Sequence, residues 1–279
     1  MRQDDSRREL SVTLYGQVQQ EVLQATLAND YGISVAFEAP TPRYVERPMG
    51  MGEATEVLQN PANPFHATVA LAIAPGAPDT GVTFQLAVDH AAAPLYLYKT
   101  LQNFEARMTD YVRASLAEGL SGWPVTDCLV TMTECQYMGS DGPPAMRGPH
   151  PTAADFRAIT RVVLLRALAE SHTVVCEPTL HVVLEIPQAS LGTVTPVLAR
   201  LGAAIREPRV HGELAVLETA LPVRRTNELQ RQLAFLTGGE GVMEATFAGY
   251  TTVRGERPTR AGALAAPGNS TKPERGISI

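Results

Sequence analysis

The sequence predicts an α+β protein made of consecutive split βαβ units, and three observations lead to this prediction. Short runs with an apolar residue at every second position alternate with longer runs in which apolar residues recur every three or four positions. The last third of the chain gives the order strand, helix, strand, strand, helix, strand, which is the order of a ferredoxin-like sandwich. Stretches rich in proline and glycine, at residues 39–64 and 139–152, interrupt these patterns and predict a boundary region and a long loop.

The first unit is predicted to contain one helix between two strands. Residues 11–15 have the pattern of a strand end, residues 33–37 alternate as a strand does, and residues 16–30 have helical spacing. Five prolines between residues 39 and 64 then predict a turn-rich boundary before the second unit.

The second unit is predicted to combine three strands with two helices. The strands are placed at residues 65–74, 82–88 and 125–134, and the helices at residues 95–118 and 153–170. The first helix carries an apolar stripe at steps of three and four, formed by Leu97, Leu101, Phe104, Met108, Tyr111 and Ser115. The second helix follows a loop with four prolines and has Thr152 as its predicted N-cap.

The third unit is predicted to be the ferredoxin-like sandwich. Its strands are placed at residues 174–186, 203–206, 213–221 and 242–250, and its helices at residues 190–201, where Pro196 is expected to kink the helix, and 227–236. Beyond residue 254 the composition turns to Gly, Ala, Pro, Ser and charge, which predicts a flexible tail over residues 255–279.

Composition excludes several classes of protein. Hydrophobic residues make up 44% of the chain and charged residues 19%, which is typical of a folded domain. No apolar run reaches the roughly 20 residues that a membrane span needs, and the charged start has no signal-peptide core, so we expect a cytoplasmic protein. The net charge of −6 argues against a broad basic surface for nucleic acid but allows a small RNA-contacting tip.

Motifs for cofactor chemistry are missing from the sequence. No GxxxxGK[ST] phosphate loop and no GxSxG elbow occur, and the GxG at residues 50–52 and the GGEG at residues 238–241 are more typical of turns. The histidines lack the spacing of a metal site, and the three cysteines, Cys128, Cys135 and Cys176, fit buried reduced thiols. We therefore predict no catalytic residue, no cofactor site and no metal site in this chain, and whether the protein is an enzyme stays open.

Several segments together resemble the elongation factor G family. Residues 14–22, LYGQVQQEV, resemble the LYGEVQKEV helix of the family's third domain, and Glu177-Pro178 resembles the LEP that opens its fifth domain. Residues 221–223, LPV, and residues 237–241, TGGEG, resemble the second half of that fifth domain. The resemblance runs from about residue 10 to residue 249.

Within this family, three motifs resemble the ribosomal protection proteins that confer tetracycline resistance. Residues 46–54, ERPMGMGEA, are similar to their ERxxGxGEA. Residues 122–128, GWPVTDC, match their GWxVTDC, and residues 152–157, TAADFR, are close to their TPADFR. Elongation factor G has other residues at these places.

The resemblance implies consecutive split βαβ or ferredoxin-like sandwiches, one of them with an elongated tip-loop domain. Residues 1–45 would be the C-terminal half of the third domain, residues 46–172 the fourth domain, residues 173–254 the fifth domain, and residues 255–279 a tail. The chain would be a monomer that binds the ribosome at 16S ribosomal RNA near the decoding centre and displaces tetracycline with its fourth-domain tip. The intact family is a ribosome-dependent GTPase that uses GTP and Mg²⁺, whereas this chain has no GTPase domain and would hold no cofactor.

The resemblance also implies which residues contact RNA. The family's tip loop has Ser-Pro-Val before TPADF, and Gly148-Pro149-His150 stands at that place here, after a longer loop. Further loops of the tip would be residues 89–94 and 60–65. The predicted RNA-contacting residues are Tyr137, Arg147, Gly148, Pro149, His150 and Pro151, with Ala91, Ala92, Ala93 and Pro94 from the second loop.

Arg147 is the cation of the loop at residues 139–151, whose single carboxylate is Asp141, and it is the natural phosphate partner there. Three hypotheses remain open at this point. They are a part of a ribosomal protection protein, a part of an elongation factor G-type translocase, and an interaction protein or enzyme that does not act on the ribosome.

Overall fold

The computed structural model describes residues 2–4, 9–11, 17–35, 42–139 and 147–260. They fall into two compact units, residues 1–41 and residues 42–279. The first unit has an antiparallel pair, β1 (Arg2–Asp4) with β2 (Glu9–Ser11), and the helix α1 (Gln17–Tyr31). Gly32 ends α1 with φ +67°, a conformation that glycine adopts without a Cβ clash. The strand predicted at residues 33–37 is absent from residues 33–35, and residues 36–37 lie outside the described ranges.

The second unit begins with a four-stranded sheet covered by two long helices. Its strands, in the order β4-β5-β7-β6, are β4 (Gly52–Glu56), β5 (Ala67–Pro75), β6 (Val82–Leu86) and β7 (Cys128–Tyr137). The helices are α2 (Leu95–Tyr98), α3 (Leu101–Leu116) and α4 (Ala153–Glu170). A continuous apolar core lies between sheet and helices, with Phe104, Met108 and Phe156 fully buried.

The helix predicted at residues 95–118 is two helices in the structure. Lys99 has φ +71°, which is not a helical conformation, and it interrupts the helix between α2 and α3. The side chain of Thr100 then caps α3 by accepting a hydrogen bond from the Asn103 N–H at 3.2 Å. The apolar period runs through the break, because Leu97 and Leu101 are partly buried against the same core, and for this reason the spacing did not reveal it.

The second sheet of this unit has the predicted sandwich topology. The strands of this sheet lie in the order β10-β11-β8-β12, and the short strand β9 also pairs with β11. Its elements are β8 (Thr173–Pro187), α5 (Leu191–Arg200), β9 (Ala204–Ile205), β10 (Arg209–His211), β11 (Leu214–Pro222), α6 (Val223–Leu236) and β12 (Val242–Thr252). Helices α5 and α6 bury Val194, Leu198, Leu229 and Leu233 against one face of the sheet. The predicted α+β fold class is confirmed.

Two strands occur in the region that the prolines marked as a boundary. One is β4, and the other is β3 (Val45–Pro48), which pairs with the first four residues of β8. Since β3 finds its partner more than 120 residues away, no local pattern announces it. The two sheets meet here, and we propose the boundary between a fourth and a fifth domain near residue 172.

Glu46, in the middle of β3, is a fully buried carboxylate at this junction. Its Oε1 accepts hydrogen bonds from the backbone N–H of Ser121 at 2.6 Å and of Trp123 at 3.2 Å. Its Oε2 accepts from the Thr173 hydroxyl at 3.1 Å and lies 3.4 Å from Nη2 of Arg257. A buried charge is tolerated only with such partners, so Glu46 ties together three segments that are distant in sequence.

The segment after β12 crosses back over the junction. Besides Arg257, the Pro258 carbonyl accepts a hydrogen bond from Trp123 Nε1 at 2.8 Å, and the Arg260 N–H donates to Ser121 O at 2.9 Å. Residues 255–260, which composition assigned to the flexible tail, therefore contact the region around Glu46. The rest of that predicted tail, residues 261–279, lies outside the described residues.

Candidate nucleic-acid interface

Three loops meet at one end of the four-stranded sheet because of the strand directions. β6 runs parallel to β7, and both run antiparallel to β5. The chain therefore leaves β6 and β7 at the end where it enters β5. The loops at that end are residues 57–66, residues 87–94 and residues 138–152, of which residues 140–146 lie outside the described ranges. We call this end the tip.

The loop before β5 is held by its own asparagines. Asn63 is buried, and its Nδ2 donates to Val57 O at 3.0 Å and to Ala67 O at 2.8 Å. Its Oδ1 accepts from the Phe65 N–H at 2.9 Å. Asparagine side chains that bond to nearby backbone in this way replace the ladder bonds that a turn lacks.

The loop after β7 is hydrogen-bonded to the loop before β5, and its two ends pair with each other. The Met138 N–H donates to His66 O at 3.0 Å, and Gly139 forms an isolated parallel bridge with Arg147. At the far end Thr152 and Asp155 form a capping box at the start of α4, with Thr152 N bonded to Asp155 Oδ2 at 2.7 Å. The predicted N-cap is confirmed, and residues 147–151 enter α4 from a fixed base.

Tyr96 brings parts of the tip together. Its Oη donates to Pro151 O at 2.5 Å. Its ring centroid lies 4.5 Å from that of His150 and 5.3 Å from that of Tyr137. Burial raises the pKa of Tyr96 to about 12, so its hydroxyl keeps its proton at neutral pH.

The predicted RNA-contacting residues differ in exposure. Ala91, Arg147, Pro149 and His150 are exposed, and Ala92, Tyr137 and Gly148 are partly buried. Ala93, Pro94 and Pro151 are buried, so their side chains support the loops from beneath. The sequence reasoning did not single out Tyr96, although an aromatic residue two positions after a candidate loop was the available signal.

The glycine motifs do not fit a nucleotide. A Cβ added at Gly52 would lie 2.1 Å from Ala167 O, so this glycine allows β4 to pack against the backbone of α4 and leaves no space for a phosphate. Residues 238–241 follow the C-terminus of α6, where carbonyls rather than N–H groups are unpaired. Neither glycine motif therefore offers the backbone cradle that a nucleotide phosphate needs.

The described ranges show neither a metal cluster nor a membrane-spanning helix. No group of His, Cys, Asp and Glu there is arranged to hold a metal ion. No helix among those residues is long and apolar enough to cross a membrane. Cys128, Cys135 and Cys176 are free and buried, and burial raises the pKa of the Cys128 and Cys135 thiols to about 12.

Comparison with known proteins bears directly on the family. Residues 174–261 match the sequence model of the elongation factor G C-terminus. The oxytetracycline resistance protein of Streptomyces rimosus is 35% identical to this chain over 264 residues, which cover 93% of this chain and 37% of that protein. Residues 174–261 are thus similar to an elongation factor G C-terminus, and nearly the whole chain is similar to a tetracycline resistance protein. The resemblance drawn from the sequence motifs is confirmed.

Other tetracycline resistance proteins match over similar ranges. TetP of Clostridium perfringens is 31% identical over 253 residues, covering 91% of this chain and 36% of that protein. TetM of Streptomyces lividans is 36% identical over 233 residues, covering 83% of this chain and 34% of that protein. The chain thus spans little more than a third of the length of these relatives.

A solved structure supports the fold independently. The crystal structure of a protein from Thermus thermophilus superposes on this chain with a TM-score of 0.67 and 21% identity. The superposition covers 86% of this chain and 34% of that one. At this level of identity the likeness speaks for the fold alone.

Proposed function

We propose that this chain is the ribosome-binding portion of a tetracycline-resistance ribosomal protection protein. Its partner is 16S ribosomal RNA near the decoding centre, where the tip displaces the drug. The GTPase activity, with GTP and Mg²⁺, belongs to the intact protein, because the chain has no phosphate loop. The protein acts in the cytoplasm as a single copy.

The observation that supports this proposal most is the tip, in a chain related to tetracycline resistance proteins. This end of the sandwich is built from three loops, and loops at the end of a sheet can enter a cleft of folded RNA. The tip exposes Arg147 and His150, and the His150 imidazole lies against Tyr96, which is 42% exposed. Arginine binds phosphate oxygens through its planar fork, and aromatic rings stack on unpaired bases.

The small size of this surface agrees with the acidic composition. A net charge of −6 would repel RNA from a broad interface, so the proposal needs only a small contact surface, to which Arg147 contributes a cation. At physiological salt, charges more than about 8 Å apart at the surface are largely screened from one another. We therefore expect Arg147→Ala to weaken binding and to lower the salt dependence by about one phosphate contact.

Co-sedimentation with 30S ribosomal subunits tests the proposal. The chain should pellet with the subunits, and tetracycline should compete with it because both occupy the decoding region. Binding that tetracycline does not affect would favour an elongation factor G-type translocase instead. A chain that stays in the supernatant under low-salt conditions would refute a ribosomal role.

Phe235→Ala is the matched control for this experiment. Phe235 is 89% exposed on α6, in the other sandwich, and so tests whether any exposed aromatic residue drives the pelleting. The proposal predicts that this variant sediments as the parent chain does. A variant without residues 148–150 should stay in the supernatant.

A further inference from the structure

Tyr96 is a surface residue whose side chain contacts Tyr137, His150 and Pro151 at or next to the tip. It stands in the first turn of α2, directly after the loop at residues 87–94. Its hydroxyl reaches the Pro151 carbonyl, and its ring is tilted by 47° against the His150 imidazole and by 48° against the Tyr137 ring. One side chain therefore joins the loop after β6, the end of β7 and the segment that enters α4.

The hydrogen bond between the Tyr96 hydroxyl and the Pro151 carbonyl can have only one direction. A carbonyl oxygen accepts and cannot donate, so Tyr96 must supply the proton, and its raised pKa keeps that proton in place. Pro151 has no N–H of its own, so its carbonyl is the one backbone polar group that can anchor this residue. The capping box begins at the next residue, and the chain is thus fixed on both sides of the Pro151–Thr152 peptide.

His150 is the exposed residue whose place these contacts determine. A residue before proline is restricted to extended backbone conformations, so the Pro151 ring limits the backbone of His150, and the Tyr96 hydrogen bond fixes Pro151 itself. The Tyr96 ring then packs at a tilt against the imidazole, and His150 remains exposed. Because these contacts already restrict the rotamers of the imidazole in the free chain, less side-chain entropy is lost when the imidazole binds.

We infer that Tyr96 is a positioning residue of the tip, which holds His150 and Pro151 in the arrangement presented to RNA. Tyr96 acts through His150 and needs no contact with RNA itself. The geometrical part of this inference stands on the contacts within the chain. Its consequence for RNA binding rests on the proposed function.

Nuclear magnetic resonance of the histidine side chains tests the geometrical part. The His150 signal is identified as the one missing in His150→Ala, and it should be displaced by the neighbouring aromatic rings. Tyr96→Leu, which removes the ring, should shift this signal to the position of an exposed imidazole. Tyr96→Phe, which removes only the hydroxyl, should shift it part of the way, and far-UV circular dichroism checks that both variants fold.

Tyr250→Phe is the matched control, since it removes a hydroxyl in the other sandwich, and it should leave all histidine signals in place. The inference is overturned if the His150 signal is the same in the parent chain, Tyr96→Phe and Tyr96→Leu. It is also overturned if the remaining histidine signals move as much as that of His150, because Tyr96 would then have only a general structural role.

Binding to 30S subunits tests the consequence. The loss of one hydrogen bond should weaken the affinity of Tyr96→Phe by roughly two- to tenfold. Tyr96→Phe added to His150→Ala should not weaken the affinity further. An equal loss of affinity in the His150→Ala background would contradict positioning through His150. If the variant lacking residues 148–150 binds as the parent chain does, the proposed function fails, while the histidine spectrum still decides the role of Tyr96.

Discussion

The two ends of the four-stranded sheet are held together by different chemistry. At the tip, loops are joined mainly by neutral groups, namely the Tyr96 hydroxyl, backbone N–H groups and tilted aromatic rings, beside the Asp155 carboxylate of the capping box, and much of this surface is open to solvent. At the other end, where the two sheets meet, the contacts involve buried or half-buried charges. Glu46 is fully buried there, and Arg47 forms an ion pair with the buried Asp127.

This difference indicates how stability and recognition are divided in the chain. Leaving a buried charge without its partners costs several kcal/mol, so the junction should strongly favour one arrangement of the two sheets. Exposed contacts between neutral groups contribute about 1 kcal/mol each, so the tip can exchange some of them for contacts with RNA. Changes at the junction should therefore alter stability, and changes at the tip should alter binding.

The largest expected effect lies in the core that supports both ends. Phe104 is fully buried, with its ring centroid 5.2 Å from that of Tyr98 and 6.0 Å from that of Phe156. Phe104→Ala should lower the free energy of unfolding by about 3–5 kcal/mol, because it removes a large side chain and leaves a cavity. A urea titration measures this loss, with the exposed Phe235→Ala as control. A loss below about 1 kcal/mol would show that α3 is not part of the core.

Glu46→Ala should come next, with a loss of about 2–4 kcal/mol in the free energy of unfolding. The substitution leaves the N–H groups of Ser121 and Trp123 without their acceptor and removes the partner of Arg257. The control is Glu134→Ala, an exposed carboxylate on β7. Equal stabilities for the two variants, measured by urea titration, would remove the distinction between junction and tip.

A pair of neighbouring glycines sharpens the comparison on the junction side. A Cβ at Gly52 would lie 2.1 Å from Ala167 O and 2.6 Å from Ser171 N, whereas a Cβ at Gly50 would meet only Ser171 O at 3.6 Å. Gly52→Ala should therefore lower the thermal midpoint, with a loss of about 1–3 kcal/mol or more, and Gly50→Ala should be nearly neutral. The close packing of β4 on α4 would be contradicted if both variants had the same thermal midpoint as the parent chain.

The effect that should be smallest near neutral pH, and grow only in alkali, is a loss of stability through buried thiols. The pKa values of the Cys128 and Cys135 thiols lie at about 12 in the folded chain, above the ordinary value of 9.0. Between these values the unfolded chain loses protons that the folded chain keeps, so the free energy of unfolding should fall as pH rises from about 9 toward 12. The double variant Cys128→Ala/Cys135→Ala should show a shallower fall in denaturant titrations across this range. Identical slopes would mean that these thiols do not contribute.

Local pattern was sufficient for most of the fold. Residues that are near one another in sequence determine the alternation in β5 and β8, the apolar stripe of Phe104 and Met108, and the Thr152 cap. The break at Lys99 was missed because the apolar period continues across it, and β3 was missed because its partner in β8 is distant in sequence.

The candidate site was predicted by motif more than by physical pattern. The prolines and glycines indicated the loop before α4, and the assignment of residues 147–150 to RNA followed from the resemblance. The burial of Ala93, Pro94 and Pro151 depends on how three loops pack together. The role of Tyr96 could not be seen from the sequence, since the Pro151 carbonyl that it contacts lies 55 residues away. Contacts of this kind become visible only once strand directions bring the loops to the same end of the sheet.

Chemical probing of 16S ribosomal RNA is the most direct test of the central claim, which is that the tip meets RNA at the decoding region. Isolated 30S subunits are treated with dimethyl sulfate in the presence of the parent chain, of Phe235→Ala and of the variant lacking residues 148–150. The account predicts that the first two protect the same decoding-region nucleotides and that the deletion variant leaves those nucleotides reactive. Protection by the deletion variant equal to that of the parent chain, or no protection by the parent chain, would contradict it.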